Sequence, residues 1–182
     1  MRYIPARHQD IIEFGMETGL RPAELVTLKS IDYNPMKKTM WFRRTLSAGQ
    51  EIDTTKGGTR LEMPLSDRAC EIADRNVGKE YLFTHPYTGE RYSVNAPNKM
   101  WRKFSGIDIT YYEASRHSFV SQLVDDGLGS MQVKELARHS DVRTTQKYYH
   151  GNKITLKDAL NKRGKVVPLN SYATLMKEQK EE

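Results

Sequence analysis

Apolar residues recur at helical spacing near the start of the chain. Ile11, Ile12 and Phe14 to Met16 form one side of a helix over about residues 7–17, which Gly19 stops. Pro22 opens a second helix directly after Arg21, at the position where a missing N–H costs nothing, with Leu25, Val26 and Leu28 as its apolar positions. The texture then changes. Residues 38–45, with Met40, Trp41 and Phe42, precede residues 50–55 and 59–65, and turn-like Ser47-Ala48-Gly49 and Lys56-Gly57-Gly58 separate the three runs. This pattern predicts a small three-stranded antiparallel sheet with Lys56 at the tip of its last turn. Helical spacing returns at about 66–75, 96–104, 111–126, 131–138 and 142–149, with Asp141 or Ser140 as N-cap of the last. Beyond His150, Ile154, Leu156, Ala159 and Leu160 fit one short helix, Val166, Val167 and Leu169 fit a strand, and the charged end is expected to fray. The expected class is α+β, mostly α-helical with a small sheet.

With 182 residues the chain can bury one sizeable core, so a single domain is expected. A hydrophobic fraction of 37% and a charged fraction of 29% suit a globular protein with a large wetted surface. The formal charge of +6 is compatible with a polyanionic partner, but proteins of many functions are as basic. Cys70 is the one cysteine, which excludes an intramolecular disulfide; on the helix over 66–75 it reads as a small residue at the core edge. The N-terminus lacks the apolar run of a signal peptide, and no stretch approaches the ~18 apolar residues of a membrane span. A cytoplasmic location without membrane contact is expected.

Several chemistries find no support. There is no HExxH, CxxC pair or EF-hand loop, and no GxxxxGK[ST] or GxGxxG, so neither a metal nor a cofactor is expected. Three separated segments rich in Arg, His and Tyr stand out instead. They are Thr18-Gly19-Leu20-Arg21-Pro22-Ala23-Glu24-Leu25, Glu113-Ala114-Ser115-Arg116-His117-Ser118-Phe119, and Leu136-Ala137-Arg138-His139-Ser140-Asp141-Val142-Arg143-Thr144-Thr145-Gln146-Lys147-Tyr148-Tyr149-His150.

Together these segments resemble the signature of the tyrosine site-specific recombinases, the phage integrase family: a G-L-R-x-x-E-L box, an H-x-x-R-H box and an L-G-H-S-x-x-x-T-T-x-x-Y-x-H box. The resemblance runs from about residue 7 to residue 150, in the family's order and spacing. It implies the family's catalytic-domain fold and site-specific recombination of double-stranded DNA through a 3′-phosphotyrosine. Arg21 and Arg116 match the two arginines, Lys56 the hairpin lysine, His139 the third-box histidine, Tyr148 the nucleophile and His150 the trailing histidine. Tyr149 falls where the family places no nucleophile, and His117 reads as structural support for Arg116.

The implied roles are chemically coherent. Displacement at a phosphodiester builds negative charge on two oxygens that guanidiniums grip bidentately and His139 can also donate to. Such preorganised donors are usually the largest catalytic contribution. A phenol with a pKa near ~10 needs a cationic setting and must lose its proton during attack. A lysine on a hairpin tip can protonate the leaving 5′-oxygen as general acid.

Two positions depart from the pattern. Glu113 stands where the family has His, and a carboxylate repels phosphate unless a cation pairs with it; three positions before Arg116, it is expected to orient that arginine. Arg138 stands where the third box has Gly, as a DNA-facing cation or, in the favoured reading, a solvated side chain. Residues 1–150 are expected to be the catalytic domain and 151–182 a tail that docks on a neighbouring protomer, with the family's N-terminal DNA-clamping domain absent. Self-association on DNA into a tetrameric synapse is implied, with a monomer off DNA. A type IB topoisomerase-like enzyme and an inactive DNA-binding module are the alternative readings.

Overall fold

The computed structural model describes residues 4–53 and 61–149, so the Lys56 turn, His150 and the expected tail lie outside the described residues. Helix α1 (Ala6–Thr18) buries Ile11, Ile12 and Phe14 together with Gly15. A Cβ on Gly15 would lie 2.0 Å from the Tyr111 hydroxyl. That hydroxyl instead donates to the Ile12 carbonyl at 2.7 Å, so the later helix carrying Tyr111 packs directly on α1. Gly19 closes α1 in the left-handed region, φ 57°, with its N–H on the Gly15 carbonyl. The reversal buries Leu20 and sets Arg21 immediately before the short α2 (Pro22–Leu25).

Five short strands follow among the described residues: β1 (Tyr33–Asn34), β2 (Thr39–Phe42), β3 (Thr45–Ser47), β4 (Gln50–Ile52) and β5 (Leu61–Pro64). A three-stranded antiparallel sheet is present in the order β1-β2-β5, but its membership differs from the expected one. The run over 38–45 divides, and Gln50–Ile52 pairs with Thr45–Ser47 in a separate ladder. The cause is Asp32, a carboxylate only 1% exposed. It accepts from Arg43 Nε at 2.7 Å and also pairs with the Arg44 guanidinium, bending the chain between β2 and β3. Ala48 and Gly49, both at positive φ (49° and 79°), close the β3–β4 hairpin with the backbone that a two-residue turn requires.

The remainder is helical. Ser66 caps α3 (Asp67–Asp74) by accepting from the Ala69 N–H, and Cys70 is buried on that helix. Residues 77–95 carry no predicted element; they cross the surface in turns and isolated bridges while burying Leu82, Phe83 and Tyr92. Then come α4 (Ala96–Phe104), α5 (Tyr111–Asp125), α6 (Ser130–Leu136) and α7 (Val142–Gln146). Asp141 is the N-cap of α7, its carboxylate accepting from the Arg143 N–H. The main core joins α1, the sheet, α3 and α4. A second cluster around Val120, Val124, Val133 and Ala137 seats α6 on α5, and Tyr148 and Tyr149 pack on it. No helix of the described residues is long and apolar enough to cross a membrane.

Candidate active site

Arg21 is held by the helix it precedes. Glu24, 2% exposed, accepts from the Arg21 N–H at 3.1 Å and from its Nη1 at 3.1 Å. The carboxylate thus caps α2 and fixes the guanidinium in one stroke. Arg116 arrives from the middle of α5, is 6% exposed, and donates through Nη1 to the Gly19 carbonyl at 3.1 Å. The left-handed turn at Gly19 therefore sets the position of Arg21 and anchors Arg116. Burial, reinforced by the Arg21 charge, holds Arg116 below the usual arginine range.

The end of α6 delivers the histidine. Arg138 adopts φ 54° after Ala137, its N–H bonds to Glu135 O at 2.9 Å, and His139 N–H bonds to Lys134 O at 3.0 Å. This is a Schellman closure, whose left-handed residue is usually glycine. The Arg138 side chain is not solvated as the sequence reading favoured. It turns inward to pair with Glu24 at 3.6 Å, donates weakly to Gly19 O at 3.4 Å and stacks 4.9 Å over Phe42. Burial lowers its pKa to about 10, so it stays a cation behind the guanidiniums of Arg21 and Arg116.

The His139 Nδ1 lies 2.7 Å from the hydroxyl of buried Thr145. Burial, and then the charges of Arg116, Arg21 and Arg138, push His139 down to about 4, so the ring is neutral at pH 7. In the tautomer that carries its proton on Nε2, Nδ1 accepts from the Thr145 hydroxyl and Nε2 is left as the donor.

Tyr148 follows α7 on a single turn, its N–H on Thr145 O at 3.0 Å. Its hydroxyl lies 2.7 Å from His117 Nδ1. Burial raises its pKa, while Arg116 works in the opposite direction. The hydroxyl of Tyr149 is committed elsewhere, donating to the Leu128 carbonyl. Arg21, Arg116, His139 and Tyr148 line one open cavity of about 230 Å³, whose wall Tyr112, Ser140 and Thr144 complete. Two cations, a neutral imidazole and a phenol around one concavity suit an anionic phosphoryl group and a nucleophile.

Residues 1–154 match the model of the phage integrase family. The chain belongs to that family. It is 32% identical over 161 residues to tyrosine recombinase XerD of Listeria innocua serovar 6a, covering 84% of this chain and 52% of that protein. This integrase-family chain therefore spans about half the length of that relative. Among solved structures it resembles the Tn1549 transposon integrase in complex with circular intermediate DNA, at TM-score 0.69 and 17% identity over 85% of this chain and 59% of the other. It also resembles the catalytic domain of bacteriophage HP1 integrase, at TM-score 0.60 and 22% identity over 85% and 80% of the two chains. At these identities the likeness is one of fold: a tyrosine recombinase catalytic domain.

Within the phage integrase frame a second position, besides Arg138, is corrected. Glu113 does not orient Arg116: its carboxylate accepts from the Thr110 N–H at 3.0 Å and the Thr110 hydroxyl at 2.8 Å. Thr110 in turn accepts from the Glu113 N–H, completing the capping box of α5 and lowering the Glu113 pKa. The Thr-x-x-Glu spacing announces that box in the sequence. Lys56 lies outside the described residues. The structure adds Glu24, Tyr112 and Thr145 to the surroundings of the site and brings His117 onto the Tyr148 hydroxyl; Glu24, His117 and Thr145 stand inside the quoted boxes, and of these three the sequence gives a reading, as structural support, to His117 alone.

Proposed function

We propose that this chain is the catalytic domain of a site-specific DNA recombinase that cuts and rejoins double-stranded DNA through a 3′-phosphotyrosine on Tyr148. The observation that carries the proposal is the convergence of Arg21, Arg116, His139 and Tyr148 on one cavity. Arg21 and Arg116 grip the non-bridging oxygens of the scissile phosphate, and His139 donates from Nε2. Tyr148 attacks phosphorus, and the leaving 5′-oxygen takes a proton from Lys56. The phosphotyrosine conserves the bond energy, so rejoining by a 5′-hydroxyl needs no ATP. The guanidiniums supply the positive charge that metal ions supply in other phosphoryl transfers.

In this reading residues 1–150 perform the chemistry in the cytoplasm, four protomers assemble on two DNA sites, and residues 151–182 dock between protomers. Deleting everything after Asn152 then spares cleavage of a nicked substrate and weakens exchange between two sites. The direct test of the chemistry is capture of a covalent protein–DNA adduct on a nicked substrate whose cleaved fragment diffuses away. Strand exchange between two sites, against relaxation alone, separates recombination from topoisomerase activity.

A further inference from the structure

Attack by Tyr148 requires that its hydroxyl proton go somewhere. His139 is poorly suited to take it: Nδ1 is engaged by Thr145, and burial among three arginines opposes a further positive charge. Glu113, at the position where the family pattern carries histidine, is bound by Thr110 at its own helix start. His117 is differently placed. It projects from the exposed face of α5, its Nδ1 is 2.7 Å from the Tyr148 hydroxyl, and the two rings lie 5.4 Å apart, centroid to centroid. The distance is within hydrogen-bonding reach for direct proton transfer.

We propose that His117 is the general base that takes the Tyr148 proton, a catalytic role displaced by one helical turn from the position Glu113 occupies. The inference rests on the function proposed above. The neutral ring carries its proton on Nε2 and presents the Nδ1 lone pair. As the Tyr148 Oη–P bond forms and the P–O5′ bond breaks, the Oη–H proton passes to Nδ1 and Lys56 protonates the 5′-oxygen. The resulting imidazolium returns the proton to Tyr148 when the 5′-hydroxyl attacks during rejoining. The contact between His117 and the Tyr148 hydroxyl is exposed.

The test uses the full chain at saturating nicked DNA whose scissile 5′-bridging oxygen is sulfur, so that the leaving thiolate needs no acid and the tyrosine proton is the one left to move. Single-turnover adduct formation is compared for the native chain, His117→Ala and His117→Asn, with and without free imidazole. The proposal expects His117→Ala to slow adduct formation roughly 100-fold. It expects free imidazole to restore much of the rate, and Asn, which can bond the hydroxyl but not accept its proton, to stay slow. An Asn variant at the native rate assigns the contact to ring positioning and overturns the proposal. An Ala variant that is as fast as the native chain, or slow without rescue, also overturns it. No adduct in the native chain fails the proposed function and this assignment together; an adduct formed equally well without His117 fails this assignment alone.

Discussion

Glu24 grips Arg21 twice, at the backbone N–H and at the guanidinium, with both contacts at 3.1 Å. The same buried carboxylate is the counter-charge of Arg138, 3.6 Å away. One acidic side chain thus fixes an arginine head in the cavity and neutralises a cation behind it. Both arms meet at the turn of Gly19, whose carbonyl also holds Arg116.

Glu24→Gln should therefore act on stability and chemistry together. Leaving Arg138 buried without its partner costs about 3–5 kcal/mol, a drop in Tm of roughly 6 °C or more for a domain of this size. Adduct formation should fall at least ten-fold as Arg21 loses its register, since a misplaced transition-state donor costs over ~1.4 kcal/mol. Adding Arg138→Met should recover much of the Tm but not the rate. Thermal melting and single-turnover cleavage of the two variants separate the effects; parallel recovery of both would show that Arg21 does not depend on Glu24.

The pH dependence of stability should carry a signature of His139. Its pKa falls from 6.5 to about 4 in the fold, so at pH 7 it is neutral in the fold and mostly neutral in the unfolded chain, and its effect on stability is small. As pH drops below 6.5 the unfolded chain binds a proton that the folded chain refuses until about 4, and stability is lost across that window. His139→Gln lacks this loss. Its Tm should fall less than that of the native chain between pH 7 and pH 5; superimposable curves would mean the folded ring titrates freely.

Glu113 should behave as a helix cap. Glu113→Ala removes the acceptor for the Thr110 N–H and should lower Tm slightly, with adduct formation changed by less than about three-fold because an exposed carboxylate is screened by water. A ten-fold slower Glu113→Ala would restore the orienting role that the geometry denies; a faster one would reveal repulsion of phosphate.

Lys56→Ala should cut normal DNA slowly and recover on a substrate with sulfur at the 5′-bridging position, where the thiolate leaves unprotonated. Equal loss on both substrates would remove Lys56 from the role of general acid.

The sequence made the helices and the cavity residues legible for different reasons. Gly19, Pro22, Asp141 and the apolar stripes are local signals, and the structure places element ends within a few residues of them. Arg21, Arg116, His139 and Tyr148 were legible because three boxes in fixed order frame them. What escaped depends on distant partners. The buried carboxylate of Asp32 decides which strands pair, and nothing near Arg43 or Arg44 announces it. Arg138 reads as a surface cation until Glu24 and Phe42 are folded against it. Glu113 is the exception: its capping box with Thr110 is local, but the histidine that the family carries at that position points to a role at the phosphate instead.

The central claim is that Tyr148 is the nucleophile, and its adduct is the most direct measurement. A nicked substrate should trap a covalent protein–DNA species, peptide mass spectrometry should place the nucleotide on Tyr148, and EDTA should leave the yield unchanged. Tyr149, whose hydroxyl is held by the Leu128 carbonyl, should carry none. Nucleotide on Tyr149, or a yield that depends on added magnesium, would contradict the account.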